Sequence, residues 1–178
     1  PDMVELSKRN AEKEGVTAKA SFEKADLFET DFSKASVITM FLLPSINLKL
    51  RPTLLAMKPG TRIVSNSFDL GDWTADETAS INGEVCTSHC TAYFWLVPAK
   101  VQGTWKTPQG DLTLEQKYQM VSGRLVKGNV ITPVTEGRLA GTDAGRRAAN
   151  RLAERLRASG RRVEVEPTYV HPQFAIVI

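Results

Sequence analysis

The stretch between Ser36 and Phe68 constrains the fold more than any other part of the chain, because it reads as a strand, a helix and a second strand. Ser36–Leu43 is mostly apolar and carries no charge, which is typical of a strand that is covered on both faces of a sheet. Pro44 ends this run, and Thr61–Ser65 resumes as a strand. A strand, a crossover helix and a parallel strand form the βαβ unit of α/β proteins. We therefore predict an α/β fold.

The segment between these two strands predicts a helix. Ser45 is a suitable N-cap residue, and Lys58-Pro59-Gly60 stops the helix. Pro52 falls inside it and is expected to kink it or to split it in two. The apolar residues at roughly helical spacing are Leu48, Leu50, Leu54, Leu55 and Met57.

The segments on either side of this unit are less regular. A helix is predicted to open at Pro1-Asp2 and to end at Gly15, and Ala18–Ala25 alternates loosely like a strand. The segment 68–84 is rich in Asp, Gly and Thr, which favours an irregular surface loop. Val85–Pro98 carries β-branched and aromatic residues and predicts one long strand or a bent pair.

The sequence pattern changes at residue 99. Residues 99–141 alternate apolar and polar residues between glycine-containing turns, which is typical of an antiparallel meander. The turns are predicted at Ser122-Gly123, Lys127-Gly128 and Glu136-Gly137. Residues 142–178 predict a helix over Ala144–Ser159 and strands over Arg161–Glu166 and Gln173–Ile178.

The net charge of +3 is unevenly placed. Residues 142–178 contain seven Arg and four acidic residues, so they account for the whole surplus. The arginines of this segment could contact phosphate groups. However, no aromatic residues are interleaved with them, and charged residues of this kind usually serve to keep a surface solvated. We therefore do not expect a nucleic-acid partner. The arginines are Arg146, Arg147, Arg151, Arg155, Arg157, Arg161 and Arg162.

The two cysteines of the chain, Cys86 and Cys90, flank His89. A disulfide between residues four apart on one strand would be strained, and one Cys/His trio lacks the second ligand pair of a zinc site. We therefore expect two reduced thiols and no metal site. His89 has no partner carboxylate at a suitable spacing, so we do not expect it to act as a general base.

Two further features bear on location. No apolar run approaches the ~20 residues that span a bilayer, and the first residues are polar rather than basic and then apolar, unlike a signal peptide. These features predict a cytoplasmic protein without a membrane partner.

Three segments carry a resemblance to a known family. They are Asp26-Leu27, the sequence FLLP at 41–44, and KPGTRIVSNSFDLGDW at 58–73. With them, residues 1–98 resemble the later part of a class I S-adenosylmethionine-dependent methyltransferase, and in particular a group of bacterial and mitochondrial-type enzymes that includes lysine methyltransferases. The resemblance implies a partial Rossmann-like sheet and S-adenosyl-L-methionine as the cofactor.

The same resemblance implies site residues. An acidic residue after the third strand of such enzymes often contacts the adenine of the cofactor, and Asp26, with Leu27 beside it, matches that position. Phe41, Leu43 and Pro44 match the carboxyl end of the next strand, where cofactor and substrate meet.

The substrate side of this edge is expected to include four further residues, namely Asn47, Asp69, Asp72 and Trp73. No catalytic residue is assigned. Methyl transfer mainly requires alignment of the nucleophile, the methyl carbon and the leaving sulfur, together with exclusion of water. The methyl acceptor, a protein lysine or a small molecule, stays open.

The chain also departs from the family. The first strand, the Gly-rich loop and the acid of the second strand should all precede Pro1. We therefore expect the chain alone to bind S-adenosylmethionine weakly or not at all, which calorimetry would contradict by showing micromolar binding. Residues 99–141 are similar to a β-rich extension of some of these enzymes, and residues 142–178 match neither part, so they are expected to be of separate origin.

Two other functions remain open from the sequence. The partial sheet and the meander could form a non-catalytic binding or scaffold module. Alternatively, the Arg-rich tail could define the function by binding an anionic partner. Transfer of a radiolabelled methyl group from S-adenosylmethionine separates the enzyme from both alternatives.

Overall fold

The computed structural model describes residues 2–80, 86–139 and 175–177. Two compact units are distinguished, Pro1–Phe32 and Ser33–Ile178. Each unit is described by itself below.

The first unit contains helix α1, Met3–Lys13. It begins as the sequence predicts, because a side-chain oxygen of Asp2 accepts a hydrogen bond of 3.0 Å from the backbone N–H of Val4. Gly15, with φ of +65°, follows the helix. A left-handed backbone is most readily adopted by glycine, and this accounts for the end of the helix here.

The strand predicted over Ala18–Ala25 is wrong. Turns and irregular backbone fill this segment. Alanine and lysine have low β-propensity, and no strand of the described residues pairs with this segment. Loose alternation alone therefore does not form a strand here.

The second unit contains two sheets. In its described part the first sheet has the order β3-β4-β2-β1-β9. Strand β1 pairs in parallel with β2 and with β9, whereas β4 is antiparallel to both β2 and β3. The strands are β1 Val37–Met40, β2 Arg62–Asn66, β3 Glu77–Ser80, β4 Thr91–Leu96 and β9 Ala175–Val177. The predicted parallel βαβ unit is confirmed by β1, the following helix and β2.

Helix α2, Pro44–Ala56, connects these two strands. The predicted N-cap at Ser45 is wrong, because Leu43 is the N-cap and its carbonyl accepts hydrogen bonds from Ile46 and Asn47. Pro44, whose ring fixes φ, therefore occupies the first helical turn. Pro52 lies inside one continuous helix rather than dividing it.

Two strand boundaries differ from those expected. Strand β1 ends at Met40, so residues 41–43 lie outside the sheet. Strand β3 forms within the segment predicted as a loop, and it pairs with β4. Its residues are all exposed, which explains why apolar alternation did not reveal it.

The core of the first sheet is built on two tryptophans. Trp73 and Trp95 are fully buried, and the Trp95 indole N–H donates a hydrogen bond of 2.8 Å to the carbonyl of Trp73. Trp95 lies on β4, so this bond fastens the segment after β2 to the sheet. Buried apolar residues complete this core, namely Ile38, Met40, Leu50, Leu54, Ile63, Leu70 and Val97.

The second sheet is a four-stranded antiparallel meander in the order β5-β6-β7-β8. This arrangement confirms the predicted antiparallel meander. Its strands are β5 Gly103–Thr107, β6 Gly110–Lys117, β7 Met120–Lys127 and β8 Val130–Arg138. The turn at Lys127-Gly128 is confirmed, whereas Ser122-Gly123 and Glu136-Gly137 lie inside β7 and β8.

The two sheets are joined by hydrogen bonds to the segment after β2. The Gln119 side chain donates to the carbonyl of Thr74 at 2.8 Å, and Arg138 forms an ion pair with Asp76. Gln119 lies between β6 and β7, and Arg138 is the last residue of β8. The meander is therefore attached through the ends of its strands.

Most of the C-terminal prediction lies outside the described residues. The helix Ala144–Ser159 and the strand Arg161–Glu166 fall there. Ala175–Val177 does form a strand, as predicted for Gln173–Ile178, and pairs with the free side of β1.

Candidate functional site

The carboxyl ends of β1 and β2 meet at one edge of the first sheet, because the two strands are parallel. The chain leaves β1 at Met40 and enters α2 at Pro44. Between them, the side chains of Phe41 and Leu43 are 53% and 60% exposed. Single exposed apolar side chains are common on protein surfaces, but these two lie outside the carboxyl ends of parallel strands, where ligands of open α/β sheets bind. This edge is therefore the candidate site.

An aromatic cluster made of Phe41, Phe68 and His89 lies at this edge. The rings of Phe41 and Phe68 are nearly parallel, with centroids 6.1 Å apart. The His89 ring stands edge-on to Phe41 at 4.9 Å and to Phe68 at 6.0 Å. The three rings come from three separate segments of the chain, so their meeting is a product of the tertiary fold.

Asn47 holds the backbone segment that carries one ring of this cluster. Its side chain is fully buried in the first turns of α2, and its amide nitrogen donates to the carbonyls of Phe68 at 3.1 Å and Asp69 at 3.0 Å. The hydroxyl of Ser65 also donates to the Phe68 carbonyl, at 2.6 Å. These bonds fix the backbone that carries the Phe68 ring. The Asn47 side-chain oxygen is buried and unpaired among the described residues.

Asp72 lies in a charged network formed with Arg51, Lys117 and Tyr118. One of its carboxylate oxygens accepts from Arg51 at 2.6 Å and from Tyr118 at 2.9 Å, and the other lies 3.1 Å from the Lys117 ammonium. The hydrogen bonds from Lys117, Tyr118 and Arg51 lower the pKa of Asp72 to about 2. The carboxylate is thus charged at any ordinary pH and joins α2 to the meander.

The other two residues expected on the substrate side also make internal contacts. A carboxylate oxygen of Asp69 accepts a hydrogen bond of 3.0 Å from the backbone N–H of Gly71, while Asp69 as a whole is exposed. Trp73 is fully buried and stacks on Tyr118, with ring centroids 5.9 Å apart. Asp69 is open to a ligand, whereas Trp73 can influence one only by supporting its neighbours.

Asp26 and Leu27 lie in the first unit. A carboxylate oxygen of Asp26 accepts a hydrogen bond of 2.8 Å from the N–H of Phe28, and its carbonyl accepts from Thr30 and Glu29. This is an Asx-type turn. The Asp26 side chain is exposed and Leu27 is half-buried.

The cysteines contradict the expectation of reduced thiols, because Cys86 and Cys90 form a disulfide. Four residues of extended strand would span roughly 13 Å, but the Cα atoms here are 5.8 Å apart. The chain reverses between the cysteines, where His89 adopts φ of +59°. The spacing argument failed because this segment is a turn and not a strand.

Sequence reasoning missed His89 as a member of the candidate site. It was weighed as a general base, for which a carboxylate partner is needed, whereas its observed partners are aromatic rings and the hydroxyl of Ser67 at 3.0 Å. The available signal was its position between two cysteines, since a disulfide fixes a short turn.

Two shallow depressions lie on the surface, one lined mainly by meander strands and the other mainly by residues outside those strands. Neither is lined by a residue predicted to bind cofactor or substrate. No group of three or more His, Cys, Asp or Glu in the described ranges could hold a metal ion. Within the same ranges, no helix is both long enough and apolar enough to cross a membrane.

Comparison with known proteins identifies relatives of the N-terminal part. Residues 1–77 match the ANTKMT methyltransferase domain family. A protein-lysine N-methyltransferase of Saccharolobus islandicus (strain REY15A) is 42% identical over 89 residues, which are 49% of this chain and 54% of that protein. The chain therefore spans about half the length of this curated relative.

A solved structure is similar as well. It is an RNA methyltransferase from Salinibacter ruber, in complex with S-adenosyl-L-homocysteine. The match has a TM-score of 0.51 and 42% sequence identity, and it covers 57% of this chain and 63% of that one.

Proposed function

We propose that this chain, whose N-terminal part belongs to the class I S-adenosylmethionine-dependent methyltransferases, acts in methyl transfer at the carboxyl-end edge of its first sheet. The observation that carries the proposal is the exposure of Phe41 and Leu43 where β1 passes into α2. Ligands of open α/β sheets bind outside the carboxyl ends of the strands. The apolar side chains that such a ligand would cover are in place there.

The residues at hand suit the cofactor chemically. Phe41 and Leu43 offer apolar surface to a purine or to the acceptor chain, and Pro44 fixes the backbone between them and α2. Asp26, with Leu27 beside it, offers an exposed carboxylate that can accept hydrogen bonds from an adenine amino group. The proposal for these two residues rests on their sequence resemblance alone.

S-adenosylmethionine, when bound, supplies a methyl group attached to its positively charged sulfonium sulfur. After the transfer, the rest of the cofactor leaves as a neutral thioether. The chain's own residues have to align the acceptor and keep water out. Phe41 and Phe68 exclude water from the edge, and Asn47 holds the loop that carries Phe68. No proton acceptor is assigned.

The proposed acceptor is a protein lysine, with a small molecule as the alternative. The similar Saccharolobus protein is a protein-lysine N-methyltransferase, which supports the first. Asp69 and Asp72 are both exposed acidic residues of the proposed substrate side. Because Asp72 is already engaged by Arg51, Tyr118 and Lys117, the Asp69 carboxylate is the one that suits a cationic peptide. Asn47, Asp72 and Trp73 contribute to this side by holding its loop.

The experiment is transfer of a tritiated methyl group from S-adenosylmethionine to lysine-containing peptides, measured at high cofactor concentration. We expect Phe41→Ala to lower kcat/KM on the order of 10- to 100-fold, because a loosened edge misaligns the acceptor. The matched control is Val130→Ala, which removes an apolar side chain of comparable exposure from the meander and should leave transfer unchanged. Equal rates for wild type and Phe41→Ala would contradict the proposal.

A second candidate function is a non-catalytic binding module built on the meander. Its support is the exposure of Trp105 at 49% and of Val130 and Ile131 at 64% each. Absence of methyl transfer to any acceptor at high S-adenosylmethionine concentration would favour this alternative. Weak binding of S-adenosyl-L-homocysteine alone would not, because weak cofactor binding is also expected of the methyltransferase.

A further inference from the structure

We propose that His89 is a positioning residue of the carboxyl-end edge, and that the Cys86–Cys90 disulfide holds it against Phe41. The inference rests on the proposed function for its catalytic consequence, but its structural part stands on the geometry of the edge alone. Neither the cysteines nor His89 lie within residues 1–77, which match the methyltransferase family.

His89 is fixed by a polar contact and by ring contacts. Its Nδ1 atom lies 3.0 Å from the hydroxyl of Ser67, and its ring stands edge-on to Phe41 at 4.9 Å. Edge-to-face contact is a favoured arrangement of aromatic rings. The imidazole therefore has a defined place although His89 as a whole is exposed.

The backbone of His89 needs an external constraint. His89 and its partner Ser67 both have left-handed backbone, with φ of +59° and +65°. Such a conformation costs free energy in residues other than glycine, and it persists where the surroundings over-determine it.

The disulfide supplies this constraint. It closes the turn from Cys86 to Cys90, with Cα atoms 5.8 Å apart, and His89 directly precedes the second cysteine. Opening the bond would let this exposed turn extend, because a short covalent loop removes most alternative conformations.

Phe41 connects the turn to the reacting edge. Phe41 is half exposed and has two aromatic neighbours, Phe68 and His89, whose rings also contact each other. Loss of His89 leaves Phe68 as its remaining ring contact in the cluster. The Phe41 ring would then sample more orientations, and acceptor alignment at the edge would become less exact.

The structural test is NMR of the imidazole protons of His89 in the full chain, with neither cofactor nor acceptor present. We expect a ring-current-shifted signal in the oxidised protein. Dithiothreitol reduces the bond to two thiols and is itself oxidised to its cyclic disulfide, and the signal should then move to the random-coil position. Reoxidation should restore it. A signal at the random-coil position before reduction, or one that reduction does not move, would overturn the proposal.

Three variants complete the test. The double change Cys86→Ser with Cys90→Ser should reproduce the reduced state without dithiothreitol. His89→Asn removes the ring but keeps a residue that tolerates left-handed backbone, and it should shift the ring signals of Phe41. Thr87→Ala, an exposed change in the same turn, is the matched control and should leave those signals in place.

The functional arm measures the kinetics of methyl transfer for the same variants. For a positioning role we expect His89→Asn and the reduced wild type to lower kcat/KM for the acceptor about 10-fold or more, while the NMR signals of the meander stay in place. Unchanged kcat/KM in both would overturn the positioning role. If wild type transfers no methyl group, the proposed function fails, while the NMR result still decides whether the disulfide holds His89.

Discussion

The hydroxyl of Tyr118 donates a hydrogen bond of 2.9 Å to a carboxylate oxygen of Asp72, 46 residues earlier in the chain. The same carboxylate accepts from Arg51 on α2 and pairs with Lys117 at the end of β6. One exposed acidic side chain therefore links the helix of the βαβ unit to the meander. Burial raises the pKa of Tyr118, and its bond to Asp72 raises it further, so the phenol stays protonated as a donor.

Asp72 predicts a specific acid dependence of stability. Its pKa is about 2 in the folded protein, against an ordinary value of 3.8. The unfolded chain therefore binds more protons between these two values, and the contribution of Asp72 is complete above pH 3.8 and lost as the pH falls through about 2. We expect Asp72→Asn to reduce this acid-induced loss of the free energy of unfolding, measured by urea titration at successive pH values.

The control for this prediction is Asp111→Asn, which removes an exposed carboxylate paired with Lys106 on the outer part of the meander. It should retain the pH dependence due to Asp72, because Asp72 is intact. An unaltered acid profile in Asp72→Asn would show that the network does not hold in solution.

Asp76, like Asp72, forms an ion pair with a residue of the meander, but its side chain is buried. Its side chain is 2% exposed, and it accepts a hydrogen bond of 2.7 Å from the backbone N–H of Leu96 while pairing with Arg138. Asp76→Ala leaves both partners unsatisfied, so we expect the free energy of unfolding to fall by about 3 kcal/mol. Urea unfolding measures it, and Glu77→Ala, an exposed neighbouring change, should have little effect.

The predictable part of the fold was the part encoded locally. Strand β1, helix α2 and strand β2 follow one another along the chain, and the apolar run of β1 and the proline and glycine punctuation can be read from neighbouring residues. The same holds for the meander, where the turn at Lys127-Gly128 joins two strands in sequence. Nothing local marked β3, because its residues are all exposed.

The candidate site was predictable only in part, because it is assembled over long distances. Phe41 was found from its place after β1, but His89 joins it from 48 positions later, and the pairing of Asp76 with Arg138 spans 62. Such contacts depend on the packed fold and leave no periodic signal in the sequence. The sequence predicts Trp73 on the substrate side of a surface loop, whereas the structure buries it beside Trp95, which lies 22 positions later and donates to its carbonyl.

Gly110 lies so close to the neighbouring strand β7 that there is no room for a larger residue. It has φ of +135°, and a Cβ atom there would collide with the carbonyl oxygen of Val126 on the neighbouring strand. We expect Gly110→Ala to lower the free energy of unfolding by at least about 2 kcal/mol. The control is Gly128→Ala, which also has positive φ but nothing within 4 Å of the added atom. It should cost about 1 kcal/mol, and equal losses for the two variants would refute the predicted collision.

Asn47 tests the link between the fold and the proposed edge. In Asn47→Asp an oxygen replaces the amide nitrogen that donates to the carbonyls of Phe68 and Asp69. The side chain is fully buried, so the change sets a carboxylate against two carbonyl oxygens. We expect the free energy of unfolding to fall by about 3 kcal/mol or more, with the ring signals of Phe68 displaced in NMR spectra.

Two further variants separate the possible causes of this loss. Asn47→Ala removes the donor without adding charge, so its loss should be smaller, while Phe68 should still be displaced. Asn129→Asp makes the same chemical change at an exposed turn position and should be neutral. If Asn47→Asp were as stable as Asn129→Asp, with Phe68 unmoved, the amide would not be holding the loop, and the aromatic cluster would have to be positioned by the sheet and the disulfide alone.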